Sequence, residues 1–332
     1  MNYDAVLLVT FGGPNAMADV MPFLENVLRG RNVPEQRMRE VARHYEHVDG
    51  RSPINAQNAA LQRALERRMA TIAPRLPVSI GNRNWDPFLV DSLRALQADG
   101  VQRVLAFVAS GYSCYSGCRQ YREAIELARA ELGPGAPVVD KIRVFYNHPL
   151  FVQANAEHIR AALDAFPSAA PPTTAVLCTA HSIPVAMAAR SAYVAQLEET
   201  VRLVSEAVGF PGMRLVYQSR SGPPHQPWLE PDVCDVLESL AAQGVRQVVL
   251  APIGFTSDHM EVVYDLDIEA RARTDELGLH MVRASAAGHH PLFVEMVHDL
   301  IAERVTGRAE RPALGTHGPS HDVCPVDCCL QG

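Results

Sequence analysis

A stretch of the first half of the chain recurs in the second half, and this repeat limits the possible folds. Residues 93–105 reappear as residues 237–249, and Gly100 corresponds to Gly244, an offset of 144 residues. Each copy reads as a short amphipathic helix, a glycine that ends it, and a buried β-branched strand. The chain therefore contains two copies of one folding unit.

The residues upstream of each copy extend the pattern. An apolar run precedes each copy, at residues 5–9 and 175–178, so each half is predicted as strand, helix, strand, helix, strand. Strands that are apolar on both faces and alternate with helices form parallel sheets with right-handed crossovers. We expect an α/β fold of two similar Rossmann-like, doubly wound domains, with a ligand cleft between them at the carboxyl ends of the strands.

Proline and glycine mark the expected boundaries. A predicted strand, Ile142–Tyr146, gives way to a helix near Pro149, and residues 306–323 are rich in Gly, Pro, His and Ala without periodicity. We place the first domain at 1–148, the second at 149–290, a C-terminal helix at 291–305, and a linker with a cysteine-rich tail at 306–332.

Composition excludes several classes of protein. The chain has 332 residues, is 48% apolar and carries a net charge of −7, which argues against disorder and against nucleic-acid binding. No apolar stretch reaches the roughly 18 residues of a membrane span, and the N-terminus lacks the basic region of a signal peptide. We expect a soluble, cytoplasmic monomer.

Two side chains of the second half are candidates for chemistry. His181 follows an apolar strand at the expected ligand edge, where it can act as base or metal ligand; the alternative is a histidine that caps the next turn. Glu261, Asp265 and Glu269 are four apart and share one helix face, which suits metal or proton transfer. The alternative is a solvated acidic face, with Asp258 and Glu261 as a capping box.

The first half offers groups for an anionic substrate. Arg29 and Arg31 can bind carboxylates, although a basic helix end is the alternative, and hydroxyls come from Tyr45, Ser52 and Tyr121. The first strand is followed by Phe11-Gly12-Gly13-Pro14 and not by a nucleotide-binding glycine motif or a Walker lysine loop. Nucleotide-dependent chemistry is therefore disfavoured.

Seven cysteines, an odd number with two adjacent, argue against a disulfide framework and for a metal site. Cys324, Cys328 and Cys329 lie within six positions, and a fourth ligand comes from Cys114 or Cys118. Spacing leaves zinc and a [2Fe–2S] cluster equally open. Cys178 and Cys234 are expected to be inert core thiols.

Several motifs, in order along the chain, resemble those of the ferrochelatases. They are Phe11-Gly12-Gly13-Pro14, Ser52-Pro53-Ile54, Asn82-Arg83-Asn84-Trp85, Thr179-Ala180-His181-Ser182-Ile183-Pro184, Tyr217-Gln218-Ser219-Arg220 and Ser257-Asp258-His259-Met260-Glu261. Residues 19–27 and 115–122 look like the actinobacterial branch. The resemblance implies a lyase-type chelatase of haem biosynthesis that inserts Fe²⁺ into a porphyrin and releases two pyrrole protons. Coproporphyrin III is the implied substrate and protoporphyrin IX the alternative.

The resemblance also assigns roles to residues. His181 and Glu261 become the pair that handles iron and protons, and Asp265 and Glu269 continue an acidic path. The porphyrin and its propionates would contact Phe11, Arg29, Tyr45, Ser52 and Tyr121. A [2Fe–2S] cluster would be held by Cys118, Cys324, Cys328 and Cys329.

Two positions depart from the pattern of the family. Phe11 replaces a tyrosine that can ligate metal in another bacterial branch, and His44 replaces an arginine of some relatives. A protein of a different class, one that binds a tetrapyrrole or a metal without turnover, is the other hypothesis, and the acidic helix face favours the enzyme.

Overall fold

Two four-stranded parallel sheets with flanking helices form the protein in a computed structural model, which describes residues 2–30, 33–71, 75–167, 173–223 and 225–331. The first half comprises β1 Ala5–Thr10, α1 Met17–Val27, α2 Glu35–His44, α3 Ile54–Met69, β2 Val78–Asn82, α4 Leu89–Ala98, β3 Arg103–Val108, α5 Gln120–Leu132 and β4 Val138–Lys141. A 3₁₀ turn follows α2 at Tyr45–Val48, and a π turn precedes α5 at Tyr115–Arg119.

The second half repeats this arrangement. It comprises α6 Pro149–Asp164, β5 Thr174–His181, α7 Val185–Ala188, α8 Tyr193–Val208, β6 Arg214–Gln218, α9 Val233–Ala242, β7 Gln247–Ala251, α10 Met260–Val262, a π-helix Val263–Ala270, α11 Arg271–Glu276, β8 His280–Arg283, a 3₁₀ turn Ala287–His289 and α12 Pro291–Thr306.

The two sheets have the same topology. Their strand orders are β2-β1-β3-β4 and β6-β5-β7-β8, and every pairing is parallel. Helices α4 and α9 begin and end 144 residues apart, and each follows a cis X–Pro bond, Asp86-Pro87 and Glu230-Pro231. The sequence repeat is thus a repeat of structure, and the predicted pair of Rossmann-like units is confirmed.

One predicted strand was misplaced. Ile142–Tyr146 is irregular, and the strand that precedes it is β4, which ends at Lys141. The run is apolar because it is buried: Phe145 stacks on Phe107 with ring centroids 5.3 Å apart, and Ile142 and Tyr146 lie in the same core cluster. A buried irregular segment has the same run of apolar residues as a buried strand, so the sequence pattern could not distinguish the two.

The predicted linker is attached along its length. Arg143 donates to the carbonyl of Pro312 at 2.9 Å, and the amide nitrogen of Leu314 donates to the carbonyl of Asn147 at 2.8 Å. The side chain of Asn147 donates to Leu314 and Gly318. These contacts hold the tail against the junction between the two halves.

A close approach of backbones fixes the loop before Ser52. Gly50 has a φ of +73°, and a Cβ atom there would lie 2.1 Å from the amide nitrogen of Met17. Only glycine fits a position that combines this conformation with so close a contact.

Among the helices in the described part of the chain, none combines the length and apolar character that crossing a membrane requires.

Candidate active site

His181 is the last residue of β5 and pairs in register with Gln218, the last residue of β6. Its Nδ1 contacts the carbonyl of Ser182, which places the ring hydrogen on Nδ1 and leaves Nε2 facing Glu261. The hydroxyl of Tyr193 donates to the His181 carbonyl at 2.9 Å. Ser182 therefore orients the imidazole ring and Tyr193 holds the backbone of His181, with Nε2 directed toward Glu261.

His181 and Glu261 form an ion pair. His181 Nε2 lies 3.5 Å from Glu261 Oε1, with the two side chains 30% and 53% exposed, so the pair is open to incoming ions. Burial opposes charge on the imidazole, but the Glu261 carboxylate outweighs it and raises the pKa of His181 to about 9. Burial likewise opposes charge on Glu261, yet His181 lowers the pKa of Glu261 to about 2.

The acidic residues continue from this pair along an irregular helix. Glu261 lies in the short α10, whereas Asp265 and Glu269 lie in the π-helix Val263–Ala270. The wider turn of a π-helix keeps residues four apart on nearly the same side. Glu261 and Glu269 are exposed and Asp265 is half-buried, and the Asp265 carboxylate lies within electrostatic reach of His181.

Strand β6 supplies the partners of Asp265. The hydroxyl of Ser219 donates to Asp265 Oδ2, and the amide of Gln218 donates to the same oxygen at 3.4 Å and to the Glu261 carbonyl at 3.2 Å. Burial raises the pKa of Asp265 to about 7, against the lowering effect of Ser219. Burial, with the charge of Asp232, also raises the pKa of Glu269.

The capping-box alternative is not what the structure has. The residue that caps α10 is His259, without a side-chain hydrogen bond, and the Asp258 carboxylate pairs with Arg283 at 2.9 Å. Glu261 is thereby left to face His181 and His259, whose Nδ1 lies 3.7 Å from Glu261 Oε2.

An aromatic wall from the first half faces this pair. Phe11 and Tyr45 each pack edge-to-face on Phe23, with ring centroids 6.1 and 6.2 Å apart. Burial raises the pKa of Tyr45 and Tyr121, and the Glu261 carboxylate adds to the rise in both. Both tyrosines therefore lie within electrostatic reach of Glu261, and Tyr45 packs in one core cluster with Met260, so the two halves meet here.

The remaining first-half candidates lie in different surroundings. Arg29 is exposed just beyond α1, where it donates to Asn26. Ser52 is buried, and its amide nitrogen donates to the carbonyl of Pro14 at 3.0 Å, directly behind Gly13. Arg31 lies outside the described residues.

Several residues at the site were given no individual role from the sequence. Arg83 lies between two aromatic rings, 5.1 Å from the centroids of both Phe11 and Tyr121. His259 contacts Glu261, and Gln218 and Ser219 hold Asp265. The sequence could have indicated three of these residues, because Gln218 ends a strand, and Arg83 and Ser219 each follow one, at the ligand edge of their sheets.

The thiols of the tail meet the first half at Cys118. Cys118 lies within hydrogen-bonding distance of Cys324 and Cys329, and the Sγ atoms of Cys328 and Cys329 are 3.5 Å apart. Hydrogen bonds from Cys324 and Cys329 lower the pKa of Cys118, so one thiolate is stabilised among four thiols. These four residues are called the thiol cluster below.

The hydrogen bonds of Cys114 go to its own loop and not to the thiol cluster. Its Sγ accepts a hydrogen bond from the amide nitrogen of Gly117 at 3.1 Å. Cys178 is fully buried in β5, and burial raises its pKa to about 12, consistent with an inert core thiol. Of the two internal candidates, the structure brings Cys118 to the tail.

Two arginines hold the tail in place. Arg119 donates to the carbonyls of Val326 and Cys328 at 2.8 and 3.0 Å, and Arg122 lies 3.5 Å from the carbonyl of Cys324. His321, Cys324 and Cys328 also place one ligand atom each within 4.8 Å of one another. The tail thus offers a candidate metal site of one imidazole and two thiols, with Cys118 and Cys329 beside it.

Comparison with known proteins first defines the class. The fold matches the sirohydrochlorin chelatase SirB from Bacillus subtilis subspecies spizizenii, solved in complex with cobalt, with a TM-score of 0.55 at 13% identity over 92% of this chain and 97% of that one. At this identity the match shows the fold alone, which is that of the chelatases.

The family follows from the sequence comparisons. The ferrochelatase family model matches residues 3–305. The chain is 56% identical to a ferrochelatase of Rhodopirellula baltica, over 99% of this chain and 93% of the relative, and 49% identical to a coproporphyrin III ferrochelatase of Streptomyces griseus, over 98% and 93%. The chain belongs to the ferrochelatase family. It is thus a metal chelatase of haem biosynthesis, with ferrous iron and a porphyrin as substrates.

Proposed function

We propose that this chain inserts Fe²⁺ into coproporphyrin III to give its iron complex, with His181 and Glu261 at the reacting centre. The observation that carries the proposal is the pair itself: His181 Nε2 lies 3.5 Å from Glu261 Oε1, both side chains are open to solvent, and Tyr45 and Tyr121 of the first half lie within electrostatic reach of Glu261. An imidazole nitrogen and a carboxylate oxygen are suitable first ligands for an incoming ferrous ion.

Proton balance defines the roles of the pair. The reaction takes one Fe²⁺ and releases two pyrrole protons. Because the pKa of His181 is about 9, its imidazole carries a proton at neutral pH, and Fe²⁺ must displace that proton to reach Nε2. When the ion moves on into the porphyrin, Nε2 is again free and can accept a pyrrole proton.

The carboxylates of Asp265 and Glu269 can carry both Fe²⁺ and protons. Glu269 is exposed and Asp265 acts electrostatically on His181, so Fe²⁺ can enter along carboxylate oxygens. A pKa of about 7 lets Asp265 take up and release protons near neutrality. We propose that protons leave along the same carboxylates by which the metal enters.

Replacing His181 by Ala tests the central role. We expect metal insertion to fall at least about a hundredfold, the range of a lost general base, while porphyrin binding, followed by the absorbance of the bound ring, is retained. The matched control is His280→Ala, because His280 is an exposed histidine at the start of β8. Near-normal turnover of the His181 variant would remove it from the mechanism.

Substrate choice is tested by comparing insertion rates for coproporphyrin III and protoporphyrin IX. The names of the Streptomyces griseus and Nocardia farcinica relatives support the first. A higher kcat/KM for protoporphyrin IX would reject the proposed substrate while leaving the roles of His181 and Glu261 intact.

We further propose that the thiol cluster holds a resident metal cofactor, a [2Fe–2S] cluster with zinc as the alternative. The support is the convergence of four thiols with one stabilised thiolate. Bound, the cofactor would fasten the tail to the first half. Visible absorption bands with two iron per chain would support the [2Fe–2S] form, and a colourless protein with one zinc would reject it.

The domain limits, the localisation and the oligomeric state stay predictions. We propose domain limits at 1–148 and 149–290, since α6 begins at Pro149, and a cytoplasmic monomer. Limited proteolysis tests the limits, and light scattering tests the oligomeric state.

A further inference from the structure

A cavity of about 740 Å³ lies where the tail crosses the start of α8. Three separated parts of the chain line it: Ser113 and Tyr146 from the first half, residues 190–196 from the second half, and residues 317–329 from the tail. Neither His181 nor Glu261 belongs to its lining. Its volume is typical of small-molecule sites, and it is separate from the porphyrin cleft.

Two opposite charges face this cavity without partners. Arg190, just before α8, and Asp327, in the tail, both line it. Within the described ranges neither side chain takes part in an ion pair or hydrogen bond, and the two do not pair with each other. A ligand that spans the cavity would therefore meet a positive group on one wall and a negative group on another.

The other polar groups of the lining carry no full charge of fixed sign. They are hydroxyls, an amide and two imidazoles: Ser113, Ser191, Ser320, Gln196, His317 and His321. His317 is held by the hydroxyl of Tyr146 at 3.2 Å. The Gln196 amide donates to the Ser113 hydroxyl at 3.1 Å, so the groups left to contact a peptide unit are the serine hydroxyls of the second half and the tail and the two imidazoles. They favour a ligand with polar atoms between its charged ends.

We propose that this cavity binds a small zwitterion, an amino acid or a short peptide, with its carboxylate on Arg190 and its ammonium on Asp327. The planar fork of an arginine suits a carboxylate. A ligand with only negative groups, such as phosphate, would satisfy Arg190 but would face Asp327. The site goes beyond the insertion reaction and does not depend on it.

The cavity adjoins the thiol cluster, and helix α8, which forms part of its wall, also contacts His181. Gln196 lines it and accepts a hydrogen bond from the amide nitrogen of Ser113 at 2.7 Å, and Cys328 and Cys329 form part of its wall. On the same helix, Tyr193 donates to the carbonyl of His181. A ligand that bridges Arg190 and Asp327 would fasten the tail to α8 and stabilise the folded chain by mass action.

The experiment titrates the full-length protein at pH 7 with triglycine, followed by calorimetry and by the melting temperature. Two modified probes each lack one charge: N-acetyltriglycine has no ammonium, and triglycine amide has no carboxylate. Variants Arg190→Gln and Asp327→Asn remove the matching protein charge. Arg214→Gln is the control, since Arg214 is an exposed arginine of the same half that does not line the cavity.

We expect each variant to lose its preference for the probe charge that the removed protein charge had bound. Arg190 and Asp327 are exposed, so on the wild-type protein and on Arg214→Gln each modified probe should bind about two- to fivefold more weakly than triglycine, the range of an exposed charge contact. On Arg190→Gln, triglycine amide should bind as well as triglycine. On Asp327→Asn, N-acetyltriglycine should do so.

Two results would overturn the site. One is no binding of triglycine to the wild-type protein at any soluble concentration. The other is binding that the two variants leave unchanged. The melting temperatures of the variants without ligand show that each is folded, and metal insertion measured in parallel is expected to persist in all of them, which separates this test from that of the proposed function.

Discussion

The imidazole of His44 lies flat on the phenol ring of Tyr264, with ring centroids 3.5 Å apart and an angle of 2° between the planes. His44 ends α2 in the first half, and Tyr264 lies in the π-helix between Glu261 and Asp265. Burial lowers the pKa of His44, with added effects from Arg37 and His47, so the ring is neutral at pH 7. The contact joins the two halves beside the cleft.

This stack should show energetic coupling between the halves. We expect His44→Ala and Tyr264→Leu each to lower the free energy of unfolding, and the double variant to lose about 1 kcal/mol less than the sum, the usual worth of such a pair. Urea unfolding of the four proteins measures the coupling. The edge-to-face pair Phe166 and His280 within the second half is the positive control cycle, in which coupling is also expected, and strict additivity at His44 and Tyr264 would contradict the contact.

Metal affinity should depend on pH through His181. Because the pKa of His181 is raised to about 9, each metal bound to Nε2 displaces one proton below that pH, and affinity should rise about tenfold per pH unit from 6.5 to 9. In Glu261→Gln the pKa of His181 falls, because burial is then no longer offset by the carboxylate, so the rise should end at a lower pH than in the wild type. Titration with Co²⁺ measures both curves, and a flat wild-type curve between pH 7 and 9 would refute the assignment.

The same ion pair should affect stability in a defined window. A raised histidine pKa stabilises the fold fully below about pH 6.5, the ordinary value, and the contribution is lost as pH rises through 9. The lowered pKa of Glu261 contributes above about pH 4.5 and is lost as pH falls through 2. Glu261→Gln should therefore destabilise the protein at pH 6 and have little effect at pH 10, as measured by urea unfolding; an effect that grows with pH would be inconsistent with this.

A buried ion pair attaches the C-terminal region to the junction of the halves. Arg143 Nη2 and Nε lie 2.7 and 3.0 Å from the two oxygens of Glu303, and the side chains are 1% and 3% exposed. Removing one partner leaves a buried charge, so Glu303→Gln or Arg143→Met should cost about 3–5 kcal/mol of unfolding free energy. The double variant Arg143→Met with Glu303→Leu should recover most of this loss; if it is as unstable as the sum, the pair is not the cause.

Regular periodicity made much of the fold predictable. The repeat around Gly100 and Gly244 indicated two equivalent units, and parallel sheets then placed His181 and Glu261 at one edge. The π-helix could not be predicted, because its i→i+5 bonds leave no distinct residue period. The strand predicted at Ile142–Tyr146 failed because burial alone produced its pattern.

Long-range contacts were predicted less well than local ones. Spacing could not choose between Cys114 and Cys118, since the choice depends on where Arg119 and Arg122 bind the tail carbonyls. The contact of His259 with Glu261 depends on the turn that leads into α10. Such partners are set by tertiary packing and not by residue type.

A second repeat, His148-Pro149-Leu150-Phe151 and His290-Pro291-Leu292-Phe293, forms a reciprocal contact between helices. The Nδ1 atoms of His148 and His290 each accept a hydrogen bond, at 3.2 Å, from the amide nitrogen two residues later, capping α6 and α12 respectively. Nε2 of His148 lies 3.2 Å from Asp299 of α12, and Nε2 of His290 lies 3.0 Å from Glu157 of α6. Each helix is capped by a histidine that also binds the other helix.

Variants of these two histidines should distinguish the stabilisation that comes from the helix cap from the stabilisation that comes from the contact between the helices. His148→Ala loses a buried cap and a buried hydrogen bond and should cost about 2 kcal/mol of unfolding free energy. His148→Asn keeps a capping oxygen but loses Asp299, so its cost should be intermediate. His290→Ala should cost less than His148→Ala, because its partner Glu157 is exposed to solvent. Urea unfolding ranks the three variants, and a His148→Asn variant no more stable than His148→Ala would show that the cap contributes nothing.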